Sequence, residues 1–367
     1  MSDFAGSRVQ PAGEPVLFRR FPQLRGVVPW LHLGVSPTEI HPLSLLGKSN
    51  LWVKRDDLTA AGYGGNKVRK LEFLLADAQR REARRLITVG AAGSHHALAT
   101  AFYGKRLGIP VTLVLFPQPL TPHVRDVLHA GLALGADLRW ARRIEVIPAA
   151  ALLARISHRR EAPYMIPAGG SSFIGSLGYV NAALELEEQV REGILPEPAM
   201  IHLAAGTLGT AAGLAVGLSL GGLRTRVHAV RIASRLVTNQ RAVRSLVAGV
   251  RRMLVDNGVA APDAEEIASR IELSDESIGK GYGIATSAGI AAKEAFAAAQ
   301  LNLDATYTAK AAAAMLQRVD AGTREVHLFW HTLSAGEPAV PDPQTPASFI
   351  PKVVRRYLDG LQSSEPG

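Results

Sequence analysis

Apolar and polar positions along this chain switch repeatedly between a two-residue and a 3.6-residue rhythm. Residues 51–56 (LWVKRD) form a short apolar run. Residues 66–82 (NKVRKLEFLLADAQRRE) then place Val68, Leu71, Phe73, Leu74 and Leu75 on one helical face. The alternation continues with a strand at 85–93 running into a glycine turn, a helix at 94–108 ended by Gly108, a strand at 110–117 and a helix at 121–135. It resumes with a helix at 178–193, a strand at 199–206, a helix over 210–220 and a strand at 226–233. A helix-rich stretch (237–320) and a final strand (325–332, EVHLFWHT) complete it. Short β-rich runs separated by helices that end in glycine indicate parallel βαβ units. The predicted class is α/β, with largely parallel sheets and helices on both faces.

Ligands of such sheets sit at the carboxyl ends of the strands. Four glycine- or hydroxyl-rich stretches fall there: GAAGSHH (90–96), PAGGSS (167–172), AAGTLGT (204–210) and WHTLSAG (330–336). Their recurrence favours one shared cofactor cleft over four unrelated loops. The 204–210 turn follows a strand and opens a helix, so free N–H groups and the positive end of the helix dipole converge on it. That is a phosphate cradle in physical terms, although many strand-to-helix turns contain Gly and Thr. No Lys-Ser/Thr pair follows its last glycine, which excludes a Walker loop, and no full GxGxxG with a following ribose acid is present, which disfavours a dinucleotide.

The segment AGYGGNKVRKLEF (61–73) crowds Gly62, Gly64 and Gly65 in front of Asn66 and Lys67. Such freedom permits close backbone approach or positive φ. Lys67 is by default a surface lysine. Framed by glycine at a helix entry, it is alternatively a desolvated amine of lowered pKa, able to form a Schiff base with an aldehyde. A lysine of that kind and a phosphate cradle are together what pyridoxal phosphate requires.

Composition narrows the alternatives. With 367 residues, 47% hydrophobic and 20% charged, the chain reads as a folded protein of one large or two ordinary domains. The absence of cysteine removes disulfides, thiolate nucleophiles and Cys-ligated metals. The formal charge of +9 is scattered over helical Arg clusters, and aromatic residues make up only 6%, too few for a base-stacking platform. The charge therefore reads as solvated surface with a bias toward anionic ligands, not nucleic acid. Neither a membrane span nor a signal peptide is visible, so the cytoplasm is the expected compartment. His95 and His96 form no HExxH, which makes zinc unexpected, and Ser94 lacks the G-x-S-x-G elbow of a hydrolase.

The stretch KRDDLTAAGYGGNKVRKLEFLLADA (54–78) resembles the lysine motif of the 1-aminocyclopropane-1-carboxylate deaminase and D-cysteine desulfhydrase family. Similarity continues through IPAGGSSFIGSLGYVNAALEL, AAGTLGTAAGLAVGL, GYGIATSAGIAAKEAF and ATYTAKAAAAML to LFWHT, covering residues 26–332 in the family's order. The resemblance implies a two-domain, tryptophan synthase β-like fold (fold type II). Residues 1–69 and 178–367 would form a large cofactor-binding domain, and 70–177 a small inserted domain that closes over substrate. It implies pyridoxal 5′-phosphate, a small amino-acid substrate and a homodimer. Lys67 would be the Schiff-base lysine and Cα proton shuttle, with Asn66 beside it and Lys70 near the phosphate. Ala205, Gly206, Thr207, Leu208, Gly209 and Thr210 would form the phosphate turn. Ser94 would hold the substrate carboxylate, Tyr282 and Tyr307 would be active-site tyrosines, Thr308 would face the pyridine nitrogen, and Thr332 would lie beside the ring.

Four departures mark the substrate side. His95 stands where the family has asparagine facing the ring, Gly93 replaces glutamine, Leu333-Ser334 replace Gly-Gly, and Ala285 replaces proline. A hydroxyl at 308 gives a weaker electron sink than a carboxylate, favouring β-elimination over cyclopropane cleavage. The expected activity is thus β-elimination to a 2-oxo acid and ammonia. Its rivals are 1-aminocyclopropane-1-carboxylate deamination, β-replacement, racemisation, and a catalytically weakened cofactor-binding protein. The tail beyond 337 reads only as packing against the domain or a partner subunit.

Overall fold

The computed structural model describes residues 13–43, 48, 50–320, 325–336 and 352–359; most of the tail and the extreme N-terminus lie outside them. In chain order the main elements are α1 (Val16–Arg20), β1 (Ile40–Pro42), β2 (Leu51–Lys54), α2 (Asn66–Arg80), β3 (Arg85–Ala91), α3 (His95–Arg106), β4 (Val111–Phe116) and α4 (Pro122–Ala133). They continue with β5 (Asp137–Trp140), α5 (Ile147–Ser157), β6 (Pro163–Ile166), α6 (Phe173–Arg191), β7 (Met200–Ala205), α7 (Gly209–Leu220) and β8 (Arg226–Arg231). Last come α8 (Gln240–Val255), α9 (Ala264–Ser269), β9 (Ile271–Ser274), α10 (Ser287–Ala298), α11 (Thr308–Asp320), β10 (His327–Trp330) and α12 (Lys352–Asp359).

Two sheets result. The larger runs β1-β2-β10-β7-β8-β9, parallel except for β1 against β2. The smaller is fully parallel, in the order β5-β4-β3-β6. The strands β5, β6 and β9 escape the hydrophobic pattern because each is four residues long with mixed burial. Helix α6 starts earlier than its apolar rhythm suggests, because the Ser172 side chain accepts the Gly175 N–H and caps a new N-terminus. Helix α2 belongs to both halves of the molecule. Its Phe73 lies in the core under the large sheet, whereas Leu71, Leu74 and Leu75 lie in the core of the small one.

A buried, charge-balanced cluster fixes that helix. The Arg69 guanidinium, two residues beyond Lys67, donates to Asp56 (2.8–3.0 Å) and to Glu185 (2.9 and 3.1 Å). Lys54 Nζ donates to Glu185 (2.6 Å), to Gln189 (2.8 Å) and to the Thr38 carbonyl (3.0 Å). Tyr179 Oη and Trp330 Nε1 complete the Asp56 shell at 2.8 and 2.7 Å. Two cations meet two carboxylates, so β2, α2, α6 and β10 are held in one register. Arg69 and Lys54 together hold the Glu185 carboxyl well below the usual range, against the opposing effect of burial. Helix α6 crosses α2 so closely that a Cβ on Gly178 would meet the Arg69 carbonyl oxygen at 2.0 Å.

A second buried cluster joins three strands by imidazoles alone. His202 Nδ1 lies 2.9 Å from His228 Nδ1, and His202 Nε2 lies 2.8 Å from His327 Nδ1. Burial and then the Arg318 charge pull His228 down to about 4, while burial and the other two rings pull His202 well below its ordinary value.

Two outcomes follow from these clusters. Glu185→Gln leaves Arg69 and Lys54 under-compensated and should cost about 3–5 kcal/mol, read as a lowered denaturant midpoint. The histidines are neutral in the folded state and take up protons on unfolding below the ordinary histidine pKa of about 6.5. Stability should therefore fall as pH drops from about 6.5 toward 4, and His228→Gln should make the thermal midpoint less acid-sensitive across that window.

Candidate active site

The glycine turn before α2 serves the protein's own backbone first. Gly65 has φ +84°, and a Cβ there would meet the Thr332 carbonyl oxygen at 2.8 Å. A Cβ on Gly64 would meet the Asp57 carbonyl oxygen at 2.4 Å. The segment 332–334 thus backs the turn: Asn66 N donates to the Thr332 carbonyl (3.1 Å), and Gly64 N to Ser334 Oγ (2.8 Å). This packing delivers Lys67, in the first turn of α2, into a cavity of about 480 Å³ between the two sheets. Lys67 Nζ donates to Asn66 Oδ1 at 2.8 Å, and burial brings its pKa down to about 8.

The expected phosphate turn lines the same cavity. Ala205, Gly206, Thr207, Leu208 and Thr210 line the cavity between the end of β7 and the start of α7. Leu208, at the N-cap of α7, adopts a left-handed backbone (φ +65°), a conformation uncommon outside glycine. Gly209 sits behind the wall, its N–H donating to Ser171 Oγ at 3.1 Å. Ser171 Oγ also lies 2.7 Å from Thr207 Oγ1 and accepts from Lys70 Nζ at 3.3 Å, while Lys70 Nζ donates to the Gly169 carbonyl at 3.0 Å. The two loops and α2 are therefore laced together. Asn66 Nδ2 adds a 3.4 Å contact to Thr210 Oγ1.

The remaining residues read from the sequence divide. Ser94 caps α3, its Oγ accepting from Ala97 N, and lines the cavity with His95 and Thr332. The hydroxyls of Tyr282 and Tyr307 are in hydrogen-bond contact on the cavity wall, and burial raises both pKa values. His95 Nδ1 is 2.8 Å from Tyr63 Oη, and burial with the neighbouring His123 pushes it down to about 4. Thr308 is not brought into the wall. Its hydroxyl donates to Asp304 Oδ1 (2.7 Å) and accepts from Asp304 N (2.8 Å), a reciprocal cap on α11, and it is Asp304 that lines the cavity. The weak-sink argument from a hydroxyl at 308 therefore has no such hydroxyl at the wall.

Sequence reasoning passed over Tyr63, Asp304 and the apolar wall of Phe116, Ile144, Ile147 and Pro148, and weighed His96 only as a zinc ligand or a solvated residue. It marked PAGGSS as a ligand loop without singling out Ser171, whose position between two glycine turns was the available signal.

The unsatisfied groups specify what fits. Burial, and then the neighbouring Lys67, drives the Lys70 pKa well below its ordinary value, so two amines compete within one small volume. Among the described residues neither ring nitrogen of His96, buried beside them, makes a hydrogen bond of good geometry, the Pro167 backbone being its weak neighbour. Buried polar groups are normally paired, and an anion at this turn would relieve all three. The model of the family described as "Pyridoxal-phosphate dependent enzyme" matches residues 31–330. This chain belongs to that family. A pyridoxal-phosphate enzyme has an aldehyde for Lys67 and a phosphate monoester for the 205–210 turn, and these residues suit both.

Within the family the chain is 35% identical over 326 residues to the nocardicin C-9′ epimerase of Nocardia uniformis subsp. tsuyamanensis, covering 85% of this chain and 94% of that protein. It is also 35% identical over 304 residues to the D-cysteine desulfhydrase of Salmonella schwarzengrund (strain CVM19633), covering 79% and 88%. The crystal structure of an ACC deaminase homologue superposes with a TM-score of 0.74 at 28% identity, over 96% of this chain and 99% of that one. The fold is type II, and the enzyme falls in the 1-aminocyclopropane-1-carboxylate deaminase and D-cysteine desulfhydrase group. No described helix is long and apolar enough to cross a membrane.

Lys70→Gln should weaken binding of pyridoxal phosphate to the cofactor-free enzyme by about tenfold, the scale of a charge-assisted hydrogen bond. Binding of pyridoxal, which has no phosphate, should change little; titration calorimetry with the two compounds checks the difference.

Proposed function

We propose that this pyridoxal-phosphate enzyme removes the Cα proton of a small amino acid and eliminates a β-substituent, and that the released enamine takes up water to give a 2-oxo acid and ammonia. The observation that carries the reading is the Lys67 amine, brought to a pKa of about 8 inside the cavity and facing the phosphate turn. When bound, the cofactor supplies an electron sink that stabilises negative charge at the substrate Cα. The protein supplies the rest. Lys67, whose lowered pKa leaves an appreciable neutral fraction at physiological pH, accepts the Cα proton. The Ser94 hydroxyl holds the substrate carboxylate. The paired Tyr282 and Tyr307 hydroxyls orient the substrate or return a proton. Residues 70–177 act as the smaller unit that closes over the cavity and excludes water, in a homodimer.

A second reading is epimerisation at Cα, which uses the same base and stops before a leaving group departs. The similarity to an epimerase over 85% of the chain favours it. Because Thr308 is engaged with Asp304, cyclopropane cleavage also stays among the reactions to be assayed.

The wild-type enzyme should carry the visible absorbance of a lysine-bound cofactor. Lys67→Ala should lose it, together with about 10³-fold or more of the turnover rate. A band that persists in Lys67→Ala overturns the assignment. D- and L-amino acids with β-leaving groups, and 1-aminocyclopropane-1-carboxylate, should be assayed for ammonia and oxo acid in deuterated water. Oxo acid release supports elimination; deuterium at Cα with no oxo acid supports epimerisation in its place.

A further inference from the structure

The turn that carries Ser94 has a side-chain partner from a different strand. Gly93 contributes no side chain, and a Cβ there would meet Val124 Cγ2 at 2.9 Å and Gln118 Nε2 at 3.0 Å. That corner is occupied by the carboxamide of Gln118, two residues beyond the end of β4. Gln118 Oε1 accepts the Gly93 N–H at 3.2 Å, and this donor fixes which end of the amide faces the turn. The two N–H bonds of Nε2 are left without a partner among the described residues.

The place of this donor matters. A Cβ on Gly283 would lie 4.0 Å from Gln118 Nε2 and 3.4 Å from Pro119 Cδ. Gln118, itself outside the cavity lining, therefore sits in the gap between the segment carrying Ser94 and the segment carrying Tyr282, both of which line the cavity. The backbone of Gln118 is anchored from outside: Tyr357 of α12 donates its hydroxyl to the Gln118 carbonyl at 2.6 Å, and the Tyr357 ring packs 4.9 Å from that of Trp140. A half-buried amide with its oxygen engaged, its backbone pinned and its donors free is preorganised to receive an acceptor.

We propose that Gln118 is a substrate-binding residue whose Nε2 donates to the carboxylate of the amino-acid substrate beside Ser94. The proposal rests on the amino-acid reading above and assigns one more donor to it. Neither Oε1 nor the backbone has to move, so the ordering cost is small. The acceptor is anionic, and a hydrogen bond to an anion is among the stronger kinds.

The test uses the enzyme with its cofactor bound and two probes that lack a β-leaving group, alanine of either hand and alaninamide. Binding is followed by the change in visible absorbance. Gln118→Glu keeps an acceptor for Gly93 N–H but replaces the donors with negative charge. Alanine affinity should fall about ten- to hundredfold, whereas alaninamide should change by less than about threefold. The resting visible band and the thermal midpoint should match wild type. Unchanged alanine affinity, or an equal loss for alanine and alaninamide, overturns the proposal. Should Gln118→Glu fail to fold, Gln118→Met, of similar length without donors, reads the same difference between probes. A wild-type enzyme with no visible band refutes the lysine and cofactor reading instead, so the two failures are distinguishable.

Discussion

Everything at the active site depends on the placement of Arg69. Its guanidinium is buried between Asp56 and Glu185 and is one arm of a neutral, four-charge cluster that includes Lys54. Taking such charges from water is costly, and the cost is offset only when hydrogen-bond geometry leaves few groups unpaired. Here Tyr179, Trp330, Gln189 and the Thr38 carbonyl fill the remaining valences. An apolar cluster of equal volume would permit α2 to slide or rotate. The directional bonds do not, and Lys67 lies two residues from them. The position of the nitrogen proposed as catalytic is thereby set by a network that lies outside the cavity lining.

The same helix then creates an electrostatic demand. Lys67 and Lys70 emerge on adjacent turns of α2 into a cavity where burial already disfavours charge. Among the described residues, Asp304 is the acidic side chain on the cavity wall, and its oxygens accept from the N–H groups of Thr306, Tyr307 and Thr308. The hydrogen bonds of that carboxylate are therefore directed at α11, and its charge only partly offsets the effect of burial on Lys67. An external anion, placed where the 205–210 turn opens α7, balances what the fold leaves unbalanced. The lowered Lys67 pKa is the useful residue of that imbalance, since a neutral amine is both nucleophile and base.

The parts of this design that are local in sequence were legible. The αβ alternation, the glycine-framed lysine and the Gly/Thr turn before a helix all follow from spacing and residue type. The parts that need tertiary neighbours were not. Nothing in GGNK says that its glycines nest against the backbone of Asp57 and Thr332. The hydroxyl of Thr308 reads as available until Asp304, four residues earlier, is seen to engage it from both sides. Four-residue strands such as DLRW and PYMI have too few positions for a period to show, and are defined by their neighbours in the sheet. Gln118 shows the same limit at the level of the site, since its partner Gly93 is twenty-five residues away.

The four positions that depart from the resembled family pattern do not act alike. Ser334 accepts from Gly64 N, and the Leu333–Ser334 backbone presses against Gly65, so that departure supports the lysine turn while also lining the cavity. Ala285 is exposed. Gly93 and His95, by contrast, flank Ser94 on one short turn, and each is met by a side chain from elsewhere, Gln118 in one case and Tyr63 in the other. Of the departing positions, His95, Leu333 and Ser334 line the cavity, so the departures reach it from two places, the turn between β3 and α3 and the segment that backs the lysine turn. Gly93 acts one layer behind, where its missing side chain leaves room for the Gln118 carboxamide.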